Sequence, residues 1–323
     1  MKRRSFLKQG GLAAGALALP AVLKYLYTPE IPTGTRRLVM VHLKGGNDGY
    51  NTLIPYTDAV YYQSRPSLAI SEKSVVKLDQ TYGLHPAMQP VEDLYHSGNM
   101  LFLNAVAHPE FEASHHTAFQ NFHPLQELEA GRGPWEDSFV NRNGEIQALP
   151  FLNVDCGRAD FASLFNEAYC SFSAEDFSQG LERVSSSILS GADTRIYHLS
   201  LDGFDTHQMQ TTKHNLLLKA YAEGMQRFVE RLKDTGLFED TLILTYSEFG
   251  RSLKENKKRG TEHGNENCAW LIGGKLKESR VKNLKNSSEL SNPAVLLPGI
   301  TAAWFDLRLP LLDENLQSQF GWV

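Results

Sequence analysis

Apolar runs of strand length recur along the chain, and each closes on a burst of glycine and polar residues. "RLVMVHL" (37–43) runs into "KGGNDGYN", and its length and β-branched content predict a buried strand. "VEDLYHSGNMLFLNAVAHPEF" predicts a helix end at Val91 to His96, a turn at Ser97-Gly98-Asn99 and a strand over about 100–106. "EASHHTAFQNF" then opens as a helix start, and "TRIYHLSLDGFDTH" predicts a strand over about 195–201. In "TKHNLLLKAYAEGMQRFVERLKDTG", Leu217, Tyr221, Met225, Phe228 and Leu232 fall at spacings of three and four, which sets one apolar helix face that Gly236 ends. "DTLILTYSEFG" is a near-continuous apolar strand from Thr241 to about Tyr246.

Strand, helix and strand joined by short connections argue for right-handed crossovers on a parallel sheet. Near-continuous apolar strands argue that both sheet faces are covered. The expected fold class is therefore α/β, a mostly parallel central sheet with helices on both faces. Residues 29–323 read as one such domain, and the long polar connections within 107–195 read as a lid or cap. No internal repeat interrupts this plan.

The first residues follow another pattern. "MKRRSFLKQGGLAAGALALPAVL" pairs a basic start with an apolar stretch from Gly10 to Leu23, about 14 residues, too short to span roughly 30 Å of hydrocarbon. Three glycines and no polar face argue against an amphipathic helix. With Arg3-Arg4-Ser-Phe-Leu-Lys, residues 1–28 resemble a twin-arginine export signal, which implies a folded passenger, the twin-arginine translocation machinery as partner and a periplasmic or secreted destination. No crisp cleavage site is present, so removal near Ala21 and retention as an anchor both stay open. Only retention would leave a membrane attachment.

Removing residues 1–28, which carry five cations and no acid, takes the formal charge from −5 to −10. An acidic body has no broad basic field for phosphate backbones, which argues against nucleic acid as a partner. Cys156, Cys170 and Cys268 allow at most one disulfide; a Cys156–Cys170 bridge and separate buried thiols stand as alternatives.

Candidate chemistry collects just after the strands. Asp48 follows the first, Ser114, His115 and His116 follow the second, and Asp205 and His207 follow the third. Glu248 and Arg251 follow the fourth, with Glu262 and His263 beyond. In a parallel sheet these positions share one rim, where ligands bind in open α/β folds. So many carboxylates in one crevice repel one another unless a cation joins them. Asp, Glu and His suit zinc or manganese, and carboxylates with water suit magnesium or calcium. Each motif also has a plainer reading: an Asx-turn for Asp48, a helix N-cap for "DTH" and for Ser114, a surface pair for Glu248 with Arg251. A serine hydrolase using Ser114 with His115 or His207 is disfavoured, because no G-x-S-x-G elbow is present.

The ordered set "LVMVHLKGGNDGYNTLIPY", "YGLHPAM", "ASHH", "GFDTHQMQ", "SEFGRS" and "GTEHG…LIGGKLK" resembles the domain-of-unknown-function family 1501 over about residues 37–275. That resemblance implies an alkaline-phosphatase-like, sulfatase-like fold and hydrolysis of phosphate or sulfate esters at two divalent cations, zinc foremost. It implies metal-ligand roles for Asp48, Asp205, His207, Glu248 and His263, and a metal-activated nucleophile at Ser114. His115 or Arg251 would stabilise the ester's oxygens, with Asn47 and Asn51 adding hydrogen bonds. The alternative is an exported binding or assembly protein that keeps the fold without turnover. Three departures bear on this: Glu248-Phe249 stands where relatives carry Asp-His, the "DTH" spacing is short, and Glu262 replaces an Asp.

Overall fold

The computed structural model describes residues 34–107, 139–145, 147, 149–154, 167–310 and 312–323. The segment 1–28 and the helix start at Ser114 lie outside the described residues. In chain order the strands are β1 (Arg37–Lys44), β2 (Leu53–Ile54), β3 (Val76–Lys77), β4 (Gly83–Leu84), β5 (Met100–Ala107), β6 (Phe151–Asn153), β7 (Ile196–Asp202), β8 (Thr241–Tyr246), β9 (Gly250–Glu255), β10 (Thr261–Gly264), β11 (Glu266–Gly273) and β12 (Val281–Asn283). Seven of them form one sheet in the order β12-β5-β11-β8-β1-β7-β6, β9 and β10 form a separate ribbon, and β2-β4-β3 form a small third sheet. The four strands expected from sequence correspond to β1, β5, β7 and β8.

The central sheet is mixed. β11 runs antiparallel to both of its neighbours, β5 and β8, while every other pairing is parallel. Because β5 and β8 flank the same antiparallel strand, they point the same way as each other. The carboxyl ends of β1, β5, β7 and β8 therefore do share one rim, and β11 enters the sheet from that side.

Strand alternation explains the layers. In β1, Val39, Val41 and Leu43 join the core beneath two long helices, α2 (Glu167–Leu189) and α3 (Gln210–Asp234). Leu38 and Met40 point the other way, into a second core beneath the helix α4 (Pro293–Phe305), with Leu296, Ile300 and Trp304. Both faces of the sheet are covered, which is why these strands read as continuous apolar runs rather than as alternating ones. Leu217, Tyr221, Met225, Phe228 and Leu232 of α3 are all buried, as their spacing predicts. Gly236 closes the helix in the left-handed region, at φ +72°.

The span 107–195, expected to contribute a lid or cap, holds one long helix among its described residues. α2 falls inside that span, and its Phe177, Leu181, Val184 and Ile188 are buried against α3 and the sheet. Its exposed positions include Glu175, Gln179, Glu182 and Arg183. Residues 108–138 and 155–166 lie outside the described residues. Among the described residues no helix is long and apolar enough to cross a membrane. Cys268 is a buried free thiol, and burial pushes its pKa up to about 12.

Candidate metal centre at the sheet rim

Gly45, at φ +112°, turns the chain sharply after β1. A side chain there would meet the backbone nitrogen of Asp205 at 2.5 Å, so glycine is what lets the loop after β7 lie against the loop after β1. Arg251, on β9, ties the two loops together. Its guanidinium is buried and donates to the carbonyls of Gly45, Gly46, Phe204 and Thr261, and to Asp205 Oδ1. Most of the donors that Arg251 is expected to turn towards substrate oxygens go to the protein here, and its direct effect is to place Asp205.

Three of the expected ligands meet. His207 Nε2 lies 3.0 Å from His263 Nε2 and 3.1 Å from Asp205 Oδ1, and His263 Nε2 lies 3.4 Å from the same oxygen. The Asp205 and His207 side chains are each more than one third exposed, so the cluster opens to solvent. Two Nε2 atoms this close cannot both carry a proton pointed at the other, so at least one lone pair faces the centre. Tetrahedral zinc with ligand bonds near 2.0–2.1 Å has ligand–ligand edges of about 3.3–3.4 Å, close to the three spacings here. A carboxylate and two imidazoles are also a donor set that zinc accepts. The residues fit the ion.

Glu262 adds the outer support that such centres need. Its Oε2 lies 3.1 Å from His207 Nδ1 and its Oε1 accepts from the Asn256 amide at 2.7 Å. A proton on Nδ1 bonded to Glu262 leaves the Nε2 lone pair for the cluster. The Asn256 hydrogen bond and the His207 ring hold the Glu262 carboxyl below the usual range. His263 packs against the Phe249 ring at 4.6 Å between centroids, which restricts its orientation.

Asp48 and Glu248 do not join the cluster. Asp48, at the N-cap of the short helix α1 (Gly49–Thr52), is fully buried and receives Arg65 through two donors, at 2.6 and 2.9 Å, as well as the Gln210 amide. Burial alone would raise its carboxyl; the Arg65 charge beside it wins and holds it low. Glu248 accepts from the Gly45 N–H at 2.7 Å, meets His42 Nε2 at 2.8 Å and accepts from the Ser247 hydroxyl at 3.1 Å. Burial would raise this carboxyl as well, yet His42 and the Gly45 N–H bring it down to about 2. Both acids stand at the expected rim, but protein donors occupy the oxygens offered to a cation. Ser114 and His115 lie outside the described residues. Asn47 and Asn51 are buried in the same network, Asn47 with His214 and Thr52, Asn51 with Arg65 and Tyr61. Sequence reasoning passed over Arg65, Gln210 and His42, whose partners lie 17, 162 and 206 residues away.

The rim's buried histidines set an acid limit. Burial lowers His85 to about 4 and His198 and His214 to about 3, so the folded state binds fewer protons than the unfolded chain between the ordinary imidazole value of 6.5 and those values. Glu248 acts in the same direction lower down, its stabilisation being lost as pH falls from 4.5 towards 2. The thermal midpoint should therefore fall continuously below about pH 6.5, and Glu248→Gln should flatten only the part below about pH 4.5. Calorimetric scans from pH 7 to 3 check both.

Residues 165–283 match the family described as "Protein of unknown function (DUF1501)". That segment contains the whole Asp205, His207 and His263 cluster with Arg251 and Glu262, whereas Asp48, Ser114 and His115 precede it. No curated protein matches the chain. Among solved structures, the chain is similar to the C-terminal periplasmic domain of EcEptC from Escherichia coli in complex with Zn, at 8% identity and a TM-score of 0.43, covering 88% of this chain and 86% of that one. It is also similar to the lipoteichoic acid synthase LtaP from Listeria monocytogenes, at 10% identity and a TM-score of 0.37, covering 79% and 70%. A protein in the alkaline phosphatase superfamily from Vibrio parahaemolyticus aligns at 11% identity and a TM-score of 0.35, covering 85% and 67%.

Proposed function

We propose that this protein is an exported hydrolase of phosphate or sulfate esters that works with one divalent cation, zinc by its donor set, held by Asp205, His207 and His263. The observation that carries the reading is the mutual approach of three ligand atoms, two from the loop after β7 and one from β10, all within 4.8 Å of one another. A cation bound there would supply Lewis acidity towards an ester oxygen. Glu262 keeps His207 in the tautomer that presents Nε2, and Arg251 keeps Asp205 in place. Counting Asp205, Glu262 and Arg251, the cluster carries one net negative charge, which a dication turns to one positive, a match for an anionic ester. Ser114 supplies the attacking hydroxyl and His115 a donor to the ester oxygens, both by family resemblance. Export rests on the Arg3-Arg4 segment.

The test is metal content and turnover of the exported protein. One equivalent of divalent metal and hydrolysis of an aryl phosphate or aryl sulfate are expected. His207→Ala should lose both, and Ser114→Ala should keep the metal while losing turnover. Protein that takes up no divalent metal at any loading removes the proposal.

A second reading, an exported binding or assembly protein without turnover, draws on one observation: Asp48 and Glu248, which the two-cation pattern needs, are engaged by Arg65 and His42. Metal bound with no hydrolysis over a broad ester panel would establish it.

A further inference from the structure

A cavity of about 320 Å³ opens between α1, the carboxyl end of β5 and the start of β11. Glu266 on its wall is three residues from His263, so the two backbones lie within about 11 Å of each other. The size is that of a small-molecule site, and the wall carries several open hydrogen-bonding groups. Tyr50 donates to one oxygen of Glu266, leaving Oε1 to accept. Asn104 donates to the Tyr82 hydroxyl, leaving its own carbonyl to accept and the tyrosine proton to donate. Asn283 accepts from the Lys285 N–H, leaving its amide NH₂ to donate, and the Lys285 ammonium stands at the rim. Among the described residues none of these remaining groups has a protein partner.

The strand that supplies Asn104 is distorted at this point. Ala105 sits in the left-handed region at φ +61°, and the β5–β11 register slips there, pairing Asn104 with Cys268 and Val106 with Asn267. A bulge with a left-handed non-glycine residue costs stability and re-aims its neighbours' side chains.

The balance of groups selects the ligand class. An isolated anion asks for donors only and a cation for acceptors only. Here acceptors (Glu266, Asn104) alternate with donors (Tyr82, Asn283, Lys285), and Asp58 and Glu266 outnumber the one lysine, which disfavours an anion. Leu53, Val60 and Leu253 add apolar surface for C–H faces. We infer that this cavity binds a neutral saccharide ring, as the alcohol part of the ester presented to the neighbouring cation. The link to an ester rests on the proposed function; sugar binding itself does not.

The experiment separates the two. Full-length exported protein is titrated calorimetrically, with saturation-transfer NMR, against glucose, galactose, N-acetylglucosamine and xylose, in the wild type and in His263→Ala. Binding of at least one sugar, equal in both proteins and weakened roughly tenfold by Asn283→Ala and by Glu266→Gln, is the expected result. Failure of every sugar to bind the folded wild type overturns the inference, even if aryl esters are hydrolysed. Binding that neither cavity variant weakens overturns it as well, and so does displacement of the sugar by inorganic sulfate in His263→Ala. Sugar bound as expected with no ester hydrolysed upholds the cavity assignment and counts against the hydrolase reading alone.

Discussion

His263→Ala should weaken zinc binding by roughly a hundredfold or more, the largest metal effect expected of any single replacement described, because losing even an outer-shell partner costs 10–100-fold. The reason lies in how the three ligands are held. His263 is the least exposed of them, 9% against 36% for Asp205 and 37% for His207, and its ring packs on Phe249. It needs little ordering before it meets a cation. Without it, Asp205 and His207 form a two-point site from one loop, which any solvated chelating pair on a surface resembles. Competition against a chromophoric chelator measures the change, and circular dichroism establishes that the variant is folded. Glu262→Gln is the graded companion: the amide oxygen still accepts from His207 Nδ1 but carries no charge, so a loss of about tenfold is expected. Unchanged zinc affinity in His263→Ala would mean that the trio is a hydrogen-bonded cluster and that no cation belongs to it.

The same three residues show what a sequence of this kind discloses. Asp205 and His207 stand out because they lie just past an apolar run, and a sheet with parallel strands brings such positions to one rim; His263 lies 17 residues beyond the β8 run and reaches them from β10. Asp48 and Glu248 satisfy the same rule, yet the structure gives them different partners. Nothing local separates the two groups: the ion that meets a carboxylate is decided by a side chain tens to hundreds of residues away. Arg65 lies in "YYQSRPS", with no periodic or catalytic signature, and it closes on Asp48 because the small helix before it turns back towards β9. Strand direction is hidden for a similar reason. "ENCAWLIG" is as apolar as β8, and only the short β9–β10 ribbon, whose "RSLKE" and "TEHG" read as polar loop, reverses the chain so that β11 enters antiparallel. Burial patterns report which faces are covered, and the five-residue face of α3 was legible for that reason. Pairing and direction depend on long-range geometry.

Replacing Arg65 tests that distinction at its most costly point. Arg65 is fully buried, meets both oxygens of Asp48, and donates further to Asn51 and to the carbonyls of Ser252 and Leu253. Arg65→Ala leaves a carboxylate that burial pushes upward without the cation that holds it down. Removing one partner of a buried pair costs about 3–5 kcal/mol, and the lost carbonyl bonds place the expected value at the upper end of that range. Equilibrium urea unfolding reads the loss directly. Asp48→Leu combined with Arg65→Met removes both charges together, and it should recover a large share of the stability because no unpaired charge stays inside. The metal provides the discriminating readout. If Asp48 serves Arg65, folded Asp48→Asn binds zinc as tightly as the parent. If it reaches the cation, zinc affinity falls with it, while Arg65→Ala frees an extra ligand and tightens binding. The bidentate geometry of the Arg65 pair favours the first outcome: with both oxygens already committed to Arg65 and Gln210, Asp48 serves the fold and leaves coordination to Asp205, His207 and His263.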